Sequence, residues 1–241
     1  MSLGEHLEEL RTRLVRSLLA ILVAGGFAFW RIRDVMAFMK RPIDVGLADP
    51  KAVELIQMKA YGAFLGSMKI AFFTGCVLAA PVVIYQLWAF VAAGLYRHER
   101  RVVKYYAFPG LVLFFSGAAM AYFYVLPWSM RFLVGFADGL GVNSKLDFPP
   151  YISMVAFMML AFGMIFQLPM IMIFLMRLGV VEPDTFRRYR RHAIVVNFAV
   201  AMIMTPPDVV SQCVMALCMT ALYEGAILVG TRIGQPRQEQ A

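Results

Sequence analysis

Charge is what this 241-residue chain has least of: Asp, Glu, Lys and Arg make up 16% of it, against 61% hydrophobic residues. A soluble domain of this length could not cover its apolar surface with so little polar material, and the mean hydropathy of +0.70 places the chain in a membrane. Cysteine is also scarce. Cys76, Cys213 and Cys218 sit in apolar runs without CxxC or His-paired spacing, so neither a disulfide framework nor a metal site is expected and the three read as small hydrophobes. Catalytic signatures are missing too: "HERR" (His98–Arg101) lacks the second His of HExxH, and neither GxSxG nor a GxxxxGK[ST] phosphate loop occurs. The chain is therefore expected to be no enzyme and to need no cofactor.

What the chain does have is long apolar runs. They cover Leu14–Trp30, Met68–Val91, Ala107–Leu133, Ile152–Leu178, a short Ala193–Met204 and Val209–Gly230. Six helical spans are predicted in one membrane domain over residues 1–241. The fifth run rises only about 18 Å as a helix against a hydrocarbon core of about 30 Å, so a reentrant hairpin competes with a short span. "TPPD" (Thr205–Asp208) favours two short spans, because its prolines and carboxylate belong near water. Three glutamates, Glu5, Glu8 and Glu9, precede the first run, which is not the pattern of a cleaved leader, and that span is expected to be retained.

The formal charge of +8 reads as a topology signal, with no nucleic-acid partner implied. Arg11, Arg13 and Arg16, the cluster Arg97 to Lys104, the cluster Arg177 to Arg191, and Arg232 with Arg237 recur after every second span and hold most of the basic residues. Both termini are therefore placed in the cytoplasm. The segments between spans are residues 31–67 (first outer region, expected to carry helix), 92–106 (first cytoplasmic loop), 134–151 (second outer loop), 179–192 (second cytoplasmic loop) and 231–241 (tail). "GLGVNSKLDFPP" in the second outer loop is rich in Gly and Pro and reads as loop throughout.

Residues 1–14 form a distinct opening. Leu3, Leu7, Leu10 and Leu14 line one face of a helix, Ser2 and Glu5 make a capping-box pattern, and Glu9 precedes Arg13 at i,i+4. An amphipathic cytoplasmic helix is predicted. A topology anchor explains its basic residues, but Glu8 and Glu9 contribute nothing to anchoring and point to a cationic partner.

The segments "HLEELRTRL", "APVVIYQLWAFVAAGLYRHERR", "FGMIFQLP", "TPPDVVSQ" and "LYE" follow one another from about Glu5 to Glu224 in the order and spacing of the TatC family, which the chain resembles. The resemblance implies an all-α membrane bundle of six helices, concave and glove-like, with the fifth and sixth helices short. It also implies a multi-pass protein of the bacterial inner membrane that binds twin-arginine signal peptides. Such a protein assembles with the single-span partners TatA and TatB in an oligomeric complex, and folded proteins cross the membrane on the proton-motive force.

Two adjacent guanidinium groups call for carboxylates, since Arg pairs bidentately where Lys cannot. The resemblance assigns the signal-peptide site to Glu9, Arg11, Phe90, Tyr96, Glu99, Arg100 and Arg101, with the arginines holding the acids in place. A second group of intramembrane polar and partner-docking residues is Gln86, Gln167, Met202, Thr205, Asp208, Gln212 and Glu224, because polar side chains at membrane depth face a partner or a cavity. Gln167 stands where many family members carry Glu. Pro42, Pro81, Pro169, Pro206 and Pro207 are expected to shape the helices, and the tryptophans with Tyr122 and Tyr124 to form an aromatic belt. A small-solute secondary transporter is the alternative, but neither internal symmetry nor a central charged coupling residue supports it.

Overall fold

Helix α1 (Leu3–Trp30) carries the amphipathic opening straight into the first apolar run without a break. The structure, a computed structural model, describes residues 3–47, 54–56, 61–94, 100–141, 145–205 and 207–233. After α1 the chain turns at Arg31 into α2 (Ile32–Gly46), the helix expected in the first outer region. The other long elements are α3 (Gly62–Ala93), α4 (Arg100–Met120) continued through a π turn (Ala121–Val125) into α5 (Leu126–Gly139), α6 (Phe148–Ile165) and α7 (Leu168–Arg177). The short α8 (Pro183–Arg188), α9 (Arg190–Met204) and α10 (Val209–Ile233) complete the chain.

Five of these stretches are long and apolar enough to cross a membrane: Gly4–Trp30, Gly62–Ala93, Tyr106–Gly139, Phe148–Arg177 and Val209–Arg232. The fifth run in sequence is the exception. Helix α9 gains a turn beyond its apolar run, reaching 15 residues and about 22 Å. The sixth helix is not short as expected: α10 has 25 residues, about 37 Å, because nothing after Pro207 interrupts its backbone ladder before Ile233.

Helices also outrun the expected loops, since the backbone ladder is indifferent to the side chains turning polar. Helix α5 continues to Gly139 and α6 starts at Phe148, so only the middle of 134–151 is non-helical, and α8 occupies much of 179–192. Two three-residue strands, β1 (Glu54–Ile56) and β2 (Lys145–Asp147), pair in parallel and tie the two outer segments together. Apart from this ladder the described fold is all-α.

Close backbone contact sets the packing. A Cβ on Gly75 of α3 would lie 2.7 Å from the Cα of Gly25, so α1 and α3 meet glycine to glycine. Gly117 of α4 and Gly163 of α6 likewise admit the Phe162 carbonyl and the rings of Phe166 and Phe114. Two apolar clusters result. One gathers α2, the π turn, α5, α6 and the middle of α10 around Ile152, Phe162, Leu126 and Met215. The other joins α3, α4, α7 and the end of α10 around Trp88, Tyr106, Phe174 and Ile227.

The prolines act in different ways. Pro81 and Pro42 lie within α3 and α2 as continuous helices, Pro42 fully buried. Pro127 follows the π turn, which absorbs the hydrogen bond that proline cannot make. Pro169 opens α7 after the break at Phe166–Gln167. Pro207 is exposed at the α9–α10 bend, and Pro206 lies outside the described residues. Of the residues expected in an aromatic belt, Trp30, Trp128 and Tyr124 are exposed, whereas Trp88 and Tyr122 are buried and do not belong to it. Trp88 is buried among Tyr106 and Phe174, and Tyr122 donates its hydroxyl to the Phe38 carbonyl at 2.6 Å.

Candidate functional site

The opening helix presents its two faces the opposite way from a solvated anchor. Leu7, Leu10 and Leu14 are all exposed, while the polar side of α1 turns onto the end of α3. There His6 stacks on Phe90 with ring centroids 4.6 Å apart. One turn on, Arg13 donates from Nε to Glu9 Oε1 at 2.7 Å and from Nη1 to Gln86 Oε1 at 3.1 Å. Its Nη2 closes the ion pair, again on Glu9 Oε1. Two of the three described guanidinium contacts thus hold Glu9 by one oxygen, and the third anchors the guanidinium on Gln86. Oε2 has no described partner, and the side chain keeps 31% of its exposure.

The residue holding Glu9 is therefore Arg13, whereas sequence reasoning chose Arg11. Arg11 instead lies 3.7 Å from Glu8 with both side chains largely in water, because i,i+3 from Glu8 points it away from α3. The i,i+4 spacing of Glu9 and Arg13 was the signal that could have found it. Of the remaining assigned residues, Tyr96 and Glu99 lie outside the described residues, and Arg100 and Arg101 are described only as backbone in the first turn of α4. The site that the structure brings together is His6, Glu9, Arg13, Gln86 and Phe90, with Gly94 at the end of α3 next to His6.

The second group of residues does not form one cluster. Gln167, at the α6–α7 break, donates its side-chain amide to the Gly110 carbonyl of α4 at 2.8 Å and ties the break to that helix. Beside it the Trp88 indole N–H is buried with no acceptor. Glu224 pairs with Arg190 at 2.7 Å across α10 and α9 and is 37% exposed. It is a partly open ion pair and not an isolated membrane charge.

Asp208 is only 4% exposed, contrary to the expectation that the carboxylate at the bend meets water. It accepts from Ser129 Oγ at 2.8 Å, from the Ser211 backbone N–H at 2.7 Å and from the Ser211 hydroxyl. It therefore caps α10 and fastens it to α5. The bend lines a larger space: a cavity of about 780 Å3 lies between Met68 and Phe72 of α3, Phe157 of α6, and Met204, Thr205 and Pro207. Thr205 donates to its own helix at Ala201, Met202 points outward at 65% exposure, and Gln212 is half-buried on the first turn of α10.

A profile of the family described as Sec-independent protein translocase protein (TatC) matches residues 5–217. The chain belongs to the TatC family. The TatC of Aquifex aeolicus is 35% identical over 240 residues, 99% of this chain and 98% of that protein. The TatC of Halothiobacillus neapolitanus is 38% identical over 224 residues, 93% of this chain, and the chain covers 60% of that longer relative. A crystal structure of the twin arginine translocase receptor TatC matches with a TM-score of 0.83 at 35% identity, covering 94% of this chain and 98% of the other. The TatC architecture is thus shared from the opening helix to α10. The family is one of protein translocation and not of enzymes.

Proposed function

We infer that this chain is the receptor and scaffold of a twin-arginine translocase in the bacterial cytoplasmic membrane, with both termini in the cytoplasm. The observation that carries this reading is the one-sided ion pair. Arg13, itself fixed on Gln86, orients the Glu9 carboxylate and leaves Oε2 for an incoming guanidinium. Arg–carboxylate pairing distinguishes twin arginine from twin lysine by its forked geometry. Glu99, with Tyr96, Arg100 and Arg101, completes the site from the adjoining loop, and the Phe90 ring supplies an apolar contact beside it.

The apolar part of a signal peptide lies in the cavity between α3, α6 and the α9–α10 bend, whose lining is almost wholly apolar. Met202, Thr205 and Gln212 face the short α9 region, where the single-span partners TatA and TatB dock. Export draws on the proton-motive force. Membranes holding this chain are tested with a precursor bearing a twin-arginine or a twin-lysine signal. Binding that requires both the arginines and Glu9 upholds the reading, and binding indifferent to both rejects it.

A further inference from the structure

The segment "FRRYRRH" (Phe186–His192) offers four arginines of equal appearance, and the structure divides them. Arg187 pairs with Asp184 at 3.0 Å and Arg190 with Glu224 of α10 at 2.7 Å, so each meets a carboxylate. Arg188 and Arg191 are exposed, and their side chains make neither an ion pair nor a hydrogen bond among the described residues. Of the acids in residues 178–192, Asp184 is taken, and Glu182 stands more than a turn and a half of helix before Arg188. Two guanidinium groups are therefore left with no described carboxylate to pair with.

The fastening of this segment fixes where they point. The Tyr189 amide donates to the Thr185 carbonyl at 3.1 Å and the Ala193 amide to the Tyr189 carbonyl at 2.9 Å, so α8 runs into α9 through helical turns. Phe186 meets the Tyr223 ring edge-on and its carbonyl accepts the Tyr223 hydroxyl at 2.8 Å, while Arg190 reaches Glu224. Residues 186 and 190 thus mark the side against α10. At about 100° per residue, Arg188, Arg191, Val195 and Ala199 fall on the opposite side. Val195 is 69% exposed and Ala199 is exposed as well, so this side of α9 turns outward to the bilayer. Helix α9 rises about 22 Å against a hydrocarbon core of about 30 Å, which draws headgroups down to its ends. Arg191 stands just before the apolar run that begins at Ala193, and the exposed Tyr189 ring beside it suits the same interfacial depth.

We propose that Arg188 and Arg191 bind the phosphate of an anionic phospholipid whose acyl chains run along Val195 and Ala199 of α9. Guanidinium forks match phosphate oxygens in geometry as well as charge. A zwitterionic headgroup brings an ammonium that competes with the arginines, whereas an anionic one brings none. A soluble acidic partner would meet the arginines but leave the apolar stripe beside them uncovered. The site requires α9 in the bilayer and nothing of the peptide-binding reading.

The test titrates the full chain in detergent with phosphatidylglycerol and, separately, with phosphatidylethanolamine, and counts bound lipid by native mass spectrometry. Phosphatidylglycerol is expected to bind about tenfold more tightly, and its affinity to fall as salt is raised. Arg188→Gln/Arg191→Gln is expected to weaken it about thirtyfold, since each cation near an anionic headgroup is worth about fivefold. Arg177→Gln/Arg232→Gln removes the same charge from exposed positions on α7 and α10 and is expected to leave the affinity unchanged. Equal losses in the two double variants reduce the effect to overall charge and overturn the proposal. So does equal affinity for phosphatidylethanolamine, an affinity unmoved by salt, or displacement of the lipid by glycerophosphate, which marks a site for free anions. The lipid and salt comparisons use the unaltered chain and decide the matter if a variant fails to fold.

Discussion

Glu9 and Asp208 are both carboxylates held by hydrogen bonds, but at opposite places and in opposite states. Glu9, on the opening helix, is gripped by Arg13 through one oxygen and half-open, so it has capacity to spare. Asp208, at the bend before α10, is buried and its two oxygens are occupied by Ser129 and Ser211, so it has none. A carboxylate presented for a ligand leaves acceptor sites unmet at an accessible surface. One that holds a fold together has them filled out of water. Both sites were chosen from the sequence as functional, and the difference between them separates recognition from construction.

Breaking the buried network tests that separation most strongly. Asp208→Ala strands the Ser129 hydroxyl and uncaps α10, and is expected to cost about 2–4 kcal/mol, read as a lower unfolding midpoint in detergent. Gly75→Val forces α1 from α3 at their glycine contact, with an expected cost of about 1–3 kcal/mol. It displaces Glu9 without touching it, so precursor binding falls together with stability. Glu9→Gln should reverse the Asp208 pattern. Precursor binding drops about tenfold, equivalent to about 1.4 kcal/mol, while the unfolding midpoint holds. Gln86→Leu frees the Arg13 head and should weaken precursor binding by about threefold, within the worth of one hydrogen bond. Smallest is Glu224→Gln, whose partly exposed pair with Arg190 is worth at most about 0.5 kcal/mol in thermal unfolding. A Glu9→Gln protein that loses stability as Asp208→Ala does would erase the distinction.

Much of the fold was legible because apolar runs and basic clusters act locally. The amphipathic opening, the helix in the first outer region and the short fifth helix follow from composition and spacing. The choice of Arg11 over Arg13 failed because both are near Glu9 in sequence, and only α3 decides which of the two faces inward. Gln86 was read as a membrane polar residue, but its link to Arg13 joins positions 73 apart. The β1–β2 ladder joins two outer segments far apart in the chain, so no local pattern announces it. Trp88 and Tyr122 looked like belt residues because position along a span does not tell which way a helix face points.

By itself, then, the sequence determined that this is a helical membrane protein, which segments are apolar enough to cross, and which residue types are present at its candidate site. Hydrophobic length and charge asymmetry act through the bilayer, which imposes the same rule on every segment. Only the tertiary structure decided which carboxylate is open and which is spent. It also decided which arginine grips Glu9, and that the leucine stripe of α1 faces outward while its polar side packs on α3. Hydrogen bonds depend on angstroms and direction, and those are set by helices crossing at glycine contacts and by partners many residues away.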